Sequence, residues 1–308
     1  MVDAVYIALP NHLHADYSIR AARAGIHVLC EKPMAVTEKE CRAMIQAAER
    51  AGIKLMIAYR LHFEEANMTA VRIVRSGKLG NPRFFTSSFS MQVRPDNIRT
   101  DKEKGGGTLY DIGIYCINAA RYLFGAEPTE VFAFSSANKK DPRFKEIDEM
   151  TSALLRFPDG RLAAVLTRAS ARPTWPAIAW WARKATCDST KLTSTFIPSS
   201  SMSRSRAKPG SKPFANEISL RPSWSTSPVV FLTTRLQSPR GREGIADVRV
   251  IEALYRSAKR RRAVKIEPVR QTKRPSIKQT KHRPAVDKPT ACARRERGVI
   301  TRVTPRFG

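Results

Sequence analysis

Residues 2–33 read VDAVYIALPNHLHADYSIRAARAGIHVLCEKP. Val2–Leu9 is a short apolar run, stopped by Pro10-Asn11, and reads as a buried strand. Residues 13–24 read as a helix, with Asn11 placed to cap it and Gly25 placed to close it. Ile26–Cys30 is a second buried strand, ended by Glu31-Lys32-Pro33. A strand, a helix and a strand joined by such short links describe a parallel crossover, which is right-handed in nearly all proteins.

The pattern extends outward from that unit. Thr37-Glu38-Lys39-Glu40 is a capping box that opens a helix with Met44, Ala47, Ala48 and Ala51 on its apolar side, closed by Gly52. Lys54–Tyr59 is a third buried strand, and an amphipathic helix of about 64–76 stops at Gly77. After it the period changes. Phe84–Val93 reads as a strand, Gly105-Gly106-Gly107 breaks the chain, and a helix over 108–124 ends at Gly125. Glu130–Ala137, Met150–Phe157 and Arg161–Thr167 read as strands, the last two joined by a hairpin at Pro158-Asp159-Gly160. The expected fold is α/β: a partial doubly wound parallel (Rossmann) domain, then an α+β domain with an open, mostly antiparallel sheet. The boundaries fall at 1–60, 61–266 and a basic tail at 267–308. Within the second unit, residues 171–241 show no sustained period and are rich in Ser, Thr, Pro and Arg, with Trp175, Trp180, Trp181 and Trp224 scattered through them. Helical order returns over Arg242–Lys259, and Ala263–Ile266 reads as a short strand.

A formal charge of +28 on 308 residues suggests nucleic-acid binding at first. Its distribution argues otherwise. Residues 1–170 hold 24 Lys and Arg against 19 Asp and Glu, whereas residues 256–308 hold 18 against 3. The excess sits in a Pro-dotted tail without interleaved aromatics, whose composition suits a disordered segment. A basic-tail nucleic-acid binder therefore stays an alternative, with no specific nucleic acid expected. The five cysteines, Cys30, Cys41, Cys116, Cys187 and Cys292, include no C-x-x-C pair, so no zinc or redox motif is expected. Three of them lie in apolar segments and read as reduced core thiols. No apolar run reaches membrane-spanning length, and the first residues lack a signal peptide's charged head; a cytoplasmic location is expected.

Doubly wound sheets bind ligands beyond the carboxyl ends of their strands. Three marked sequences stand there: Pro10-Asn11-His12-Leu13-His14, Glu31-Lys32-Pro33 and Tyr59-Arg60. Each also has a structural explanation, as a turn, a helix cap or a solvated charge. Asp111 and Tyr115 are spaced i, i+4 on a helix and share a face. They read either as a phenol steadied by a carboxylate or as a packed Tyr with an Asp favoured in a first helical turn. No G-x-G-x-x-G occurs, so spacing alone leaves the cofactor unidentified.

Three stretches carry a family resemblance: ALPNHLHADYSIRAARAGIHVLCEKPMA, GGGTLYDIGIYCINAARYLFG and GIADVRVIEALYRSAKRRRAVKI. They resemble the Gfo/Idh/MocA oxidoreductases, most of all the glucose-fructose oxidoreductase branch. The likeness covers about 1–170 and 242–266. It implies hydride transfer between NADP or NAD, with NADP favoured, and a hydroxyl or carbonyl of a sugar or polyol. It implies Lys32, Tyr115 and Asp111 as catalytic residues. The Lys32 charge would favour loss of the Tyr115 proton, and Tyr115 would take the substrate proton as hydride leaves. Asp111 would orient the substrate or the Tyr115 hydroxyl. Many members carry His at the position of Tyr115. Pro10, Asn11, His14, Glu31, Lys32 and Arg60 fall at cofactor-side positions, and no metal is implied. A homo-oligomer through the second sheet is implied as well.

Two departures stand against the family pattern. By the resemblance, Met1 falls at the family's fourth strand, so the glycine loop and its strands, on the order of 70–80 residues, are not among these 308. A catalytically inactive fragment is therefore an alternative reading. Residues 171–241 do not resemble the family although both flanks do, an onset and an end that fit two compensating reading-frame shifts.

Overall fold

The structure is a computed structural model that describes residues 2–59, 65–77, 79–170, 177–182 and 241–269. The basic tail beyond 269, Arg60, Cys187 and Cys292 lie outside the described residues. Three parallel strands, β1 (Ala4–Ile7), β2 (His27–Glu31) and β3 (Leu55–Ala58), form the first sheet in that order. Val5 pairs with Val28, and Val28 with Leu55. Helices α1 (His14–Arg23) and α2 (Glu38–Arg50) supply the crossovers. Ala15, Ser18 and Ala22 of α1 and Cys41, Met44 and Ala48 of α2 are buried, a helical stripe that seats each helix.

The expected capping box holds. Thr37 accepts the N–H of Glu40, and the Glu40 carboxylate receives the N–H of Thr37 at 2.9 Å. The expected Asn11 cap does not. A short 3-10 turn, Asn11–Leu13, precedes α1, and the residue before α1 makes no side-chain cap. The Asn11 amide donates instead to the Gly105 carbonyl at 2.9 Å, a partner 94 residues away that no local pattern reveals.

Helix α3 (Glu65–Arg75) leads into the second sheet. Its strands are β4 (Pro82–Ser90), β5 (Glu130–Ser136), β6 (Met150–Arg156), β7 (Leu162–Arg168), β8 (Ala177–Ala182) and β9 (Val264–Lys265). The spatial order is β8-β4-β7-β6-β5-β9, antiparallel throughout except for the parallel pair of β4 and β7. The hairpin at Pro158-Asp159-Gly160 puts both Asp159 and Gly160 at positive φ. Strand β8 lies inside the stretch read as patternless; its ladder to β4 extends the sheet past residue 171.

The helix expected over 108–124 is in two parts: a π-helical turn at Leu109–Gly113 and then α4 (Ile114–Phe124), ended by Gly125 at φ 60. The returning helix α5 (Gly241–Arg260) has buried residues all round its first turns, among them Ile245, Val248, Ile251 and Leu254. A helix buried on every side belongs in a core, and its polar groups there need partners. One cluster of buried side chains joins Val28, Cys30 and Ile57 of the first sheet, these α5 residues, and Phe85, Val131, Leu155 and Val165 of the second. Each such aliphatic side chain contributes about 1.5–3 kcal/mol by leaving water.

A charged knot crosses this core. The fully buried Arg121 of α4 donates to Glu127 at 2.6 Å, to Glu243 at 3.1 Å and to Asp247 at 2.5 Å. Asp247 also accepts from the Tyr59 hydroxyl at 2.6 Å and from the Asn118 amide at 2.8 Å. Buried charges persist where geometry and extra hydrogen bonds satisfy them, as here.

Candidate active site at the carboxyl edge of the parallel sheet

The first sheet delivers its strand ends to one edge. Lys32 follows β2 and precedes a cis peptide bond to Pro33. Its ammonium donates to the Asp111 main-chain carbonyl at 2.6 Å and lies 3.6 Å from the Asp111 carboxylate. It also stands 4.8 Å from the centre of the Tyr115 ring, over its face. The structure therefore brings together Lys32, Asp111 and Tyr115, from segments 79 residues apart. Tyr115 packs on Phe89 of β4 at 5.8 Å between ring centres.

Asp111 has no hydrogen bond to Tyr115 among those described. Its Oδ1 accepts from the Arg99 guanidinium at 2.9 Å, and its Oδ2 is buried without a partner among the described residues. Two cations thus face one carboxylate, leaving one oxygen open.

The other expected positions divide. The Glu31 carboxylate accepts the Tyr6 hydroxyl in a short hydrogen bond and the Lys32 main-chain N–H at 3.2 Å. Burial, and then Glu31, push the Tyr6 phenol well above its ordinary range, so it remains a donor. Pro10 starts the 3-10 turn, its carbonyl accepting the Leu13 N–H at 2.9 Å. Asn11 holds the glycine loop, as above. A Cβ on Gly105, at φ 77, would stand 2.6 Å from Val36 and 2.9 Å from Asn11, so only glycine passes there. His14 is fully buried, with the Leu9 and Pro33 carbonyl oxygens each 2.8 Å from a ring nitrogen. Burial is the main reason its pKa lies below the usual histidine value. It lies between the ends of β1 and β2; a neutral ring donates to one of the two carbonyls, and both of its nitrogens face this backbone.

Sequence reasoning missed Tyr6 and Arg99. A tyrosine in an apolar strand needs a polar partner for its hydroxyl, and that was a usable signal for Tyr6. Arg99 lies in a 3-10 turn, Ile98–Thr100, where no periodicity marks it. The described thiols are buried apart from this site: burial pushes Cys30 up to about 12 and Cys116 up to about 11. Among the described residues no cluster of His, Cys, Asp and Glu is suited to a metal ion. None of their helices is long and apolar enough to cross a membrane.

Comparison with known proteins gives a consistent picture. Residues 1–59 match the oxidoreductase family NAD-binding Rossmann fold, and residues 67–183 match the GFO/IDH/MocA C-terminal domain. The second match runs to residue 183, past the composition change at 171. The chain is 44% identical over 166 residues to an uncharacterized oxidoreductase, ORF334, of Rhizobium meliloti, covering 54% of this chain and 48% of that one. It is 39% identical over 166 residues to the D-xylose 1-dehydrogenase (NADP(+)) 2 of Haloferax volcanii, covering 53% and 49%. The chain thus spans about half the length of these curated relatives. The crystal structure of an aldose-aldose oxidoreductase from Caulobacter crescentus complexed with glycerol superposes with a TM-score of 0.69 at 37% identity, over 86% of this chain and 79% of that one. These relatives are aldose and xylose enzymes and an uncharacterized one; they do not single out a glucose-fructose oxidoreductase branch.

Proposed function

The chain belongs to the GFO/IDH/MocA oxidoreductase family, and from that premise we propose that it moves hydride between a nicotinamide cofactor and a sugar or polyol carbon. The observation that carries this reading is the meeting of Lys32 with Asp111 and Tyr115 at the edge of a parallel sheet. The relatives' names support an aldose as substrate and NADP as cofactor. The motif likeness to the glucose-fructose branch fits the same substrate class.

The residues at this edge suit the nicotinamide-ribose end of a dinucleotide. Lys32 spends one N–H at hydrogen-bonding distance and keeps donors to spare, with Glu31 and the Asn11 turn beside it. No residue is assigned to the diphosphate. When bound, the nicotinamide accepts or returns the hydride. Tyr115 takes the hydroxyl proton in oxidation and returns it in reduction. The ammonium of Lys32 offsets negative charge developing on the reacting oxygen. The Asp111 carboxylate, held by Arg99 and Lys32, orients the substrate or the Tyr115 hydroxyl.

NADPH and NADH fluorescence titrations, with turnover assays on D-xylose and D-glucose, test this. Expected are cofactor binding, aldose-dependent reduction of NADP, and a Tyr115→Phe variant that binds cofactor like the wild type but turns over at least about 100-fold more slowly. Absence of binding at millimolar cofactor, or undiminished turnover by Tyr115→Phe, overturns it.

A further inference from the structure

The start of the helix carrying Asp111 and Tyr115 is held from outside the reacting cluster. The Asp148 carboxylate accepts the main-chain N–H of Thr108 at 3.2 Å, the Thr108 hydroxyl, the Thr151 hydroxyl at 3.0 Å and the Tyr255 hydroxyl at 2.9 Å. The Tyr255 oxygen in turn accepts the N–H of Leu109 at 3.4 Å. A Cβ on Gly107, at φ 124, would clash with that hydroxyl and stand 3.1 Å from Asp148, so this approach requires glycine. Two orphan N–H groups of the first helical turn, those of Thr108 and Leu109, are thereby satisfied.

Tyr255 belongs to α5, whose other end rests on the first sheet. Gly244 packs against Met34, two residues past Lys32, and against Ile57 of β3. Asp247 holds the hydroxyl of Tyr59 at the end of β3. One helix therefore touches the support of Lys32 at one end and the support of Asp111 and Tyr115 at the other. Gly244 and Tyr255 are about 16 Å apart along its axis, at 1.5 Å per residue.

We propose that α5 sets the spacing of the reacting groups and that Tyr255, acting through Asp148 and Leu109, is the positioning residue on the Asp111 side. The proposal rests on the hydride-transfer reading above and adds to it a residue outside the reacting cluster. A shift of about 1 Å in such a cluster can cost about 100-fold in rate.

The test is Tyr255→Phe in the full chain, which deletes one hydroxyl. Expected are a kcat lower by about 10- to 100-fold, cofactor Kd and sugar KM within about 2-fold of wild type, and amide deuterium exchange over 107–113 faster by at least about 10-fold. Exchange over β1 and β2 stays unchanged. Asp148→Asn gives the same pattern, and the double variant is no worse than the poorer single one, since both act through one unit. Unchanged exchange over 107–113, exchange accelerated everywhere, or an unchanged kcat in an active chain overturns the proposal. If the wild type fails to turn over any sugar, the hydride-transfer reading falls, and the exchange contrast alone then decides whether Tyr255 holds this turn.

Discussion

Asp111 shows what a single residue's surroundings add to its identity. Its Oδ1 is shared between Arg99 at 2.9 Å and Lys32 at 3.6 Å, and its Oδ2 is buried without a partner among the described residues. Arg99 is 45% exposed at the side chain, so its contribution is screened by water, whereas Asp111 is 15% exposed. The carboxylate is therefore expected to matter more than the guanidinium. Asp111→Asn is expected to lower kcat/KM by about 100-fold, mostly in kcat, and Arg99→Ala by about 10-fold, mostly in KM. Steady-state kinetics on D-xylose read both. If Arg99→Ala costs as much as Asp111→Asn, the guanidinium is the sugar's partner and the orienting role of Asp111 is wrong. Lys32, Asp111 and Tyr115 were legible as candidates because they stand beyond a strand end and on one helix face. Arg99 was not, since its importance comes from a contact across 12 residues of irregular chain. Asn11 was legible only as a polar residue before a helix: the same amide can cap a turn or bind a distant carbonyl, and local sequence does not distinguish the two.

At the scale of elements, most of the first half was legible because its signals are local. The capping box at Thr37 is one, and the helix it opens carries a second feature that reads in pH. Glu38 in the first turn of α2 accepts Arg42 at 2.5 Å, and Arg249 of α5 at 2.8 and 2.9 Å. Arg249 is the main reason the Glu38 carboxyl lies below its ordinary 4.5. A carboxyl depressed on folding contributes stability that is complete above its unfolded value of 4.5 and is lost as pH falls through the folded value. Thermal melts between about pH 3 and 7 are therefore expected to show a shallower acid limb for Glu38→Gln than for wild type. The difference shrinks at high salt because Glu38 is partly exposed. Parallel curves for the two proteins would exclude a contribution from this pair. Two elements were hidden. The π-helical turn at Leu109–Gly113 has the same apolar spacing as an α-helix, so periodicity does not separate the two. Strand β8 was masked by Ser, Thr and Pro around it, since an edge strand needs only its ladder to β4.

At the scale of the whole molecule, the second sheet has one face buried and one left bare among the described residues. Val131, Ala153, Leu155, Ala163 and Val165 point into the core, while Phe134, Leu154, Leu162 and Leu166 are 62, 49, 38 and 45% exposed. The alternation was readable in each strand, but that the second apolar set lacks a cover among the described residues was not, because two-sided apolar strands also suit a sandwich. The cross-strand pairs Phe132 with Leu154, Leu154 with Ala164, and Phe84 with Leu162 make the apolar residues of this face contiguous over β4, β7, β6 and β5. We propose that a second copy covers this face, the occupant the family likeness implies. The chain's charge of +28 opposes that association at long range, and salt screens the repulsion without weakening apolar contact. Self-association is therefore expected to tighten as salt rises from about 50 to 500 mM, the reverse of an ion-paired interface. Light scattering after gel filtration should give twice the chain mass for wild type and the single-chain mass for Leu166→Arg, with cofactor titration unchanged between them. A wild type that stays monomeric at micromolar concentration in high salt, or a Leu166→Arg variant that still pairs, would assign the bare face to something other than a second copy.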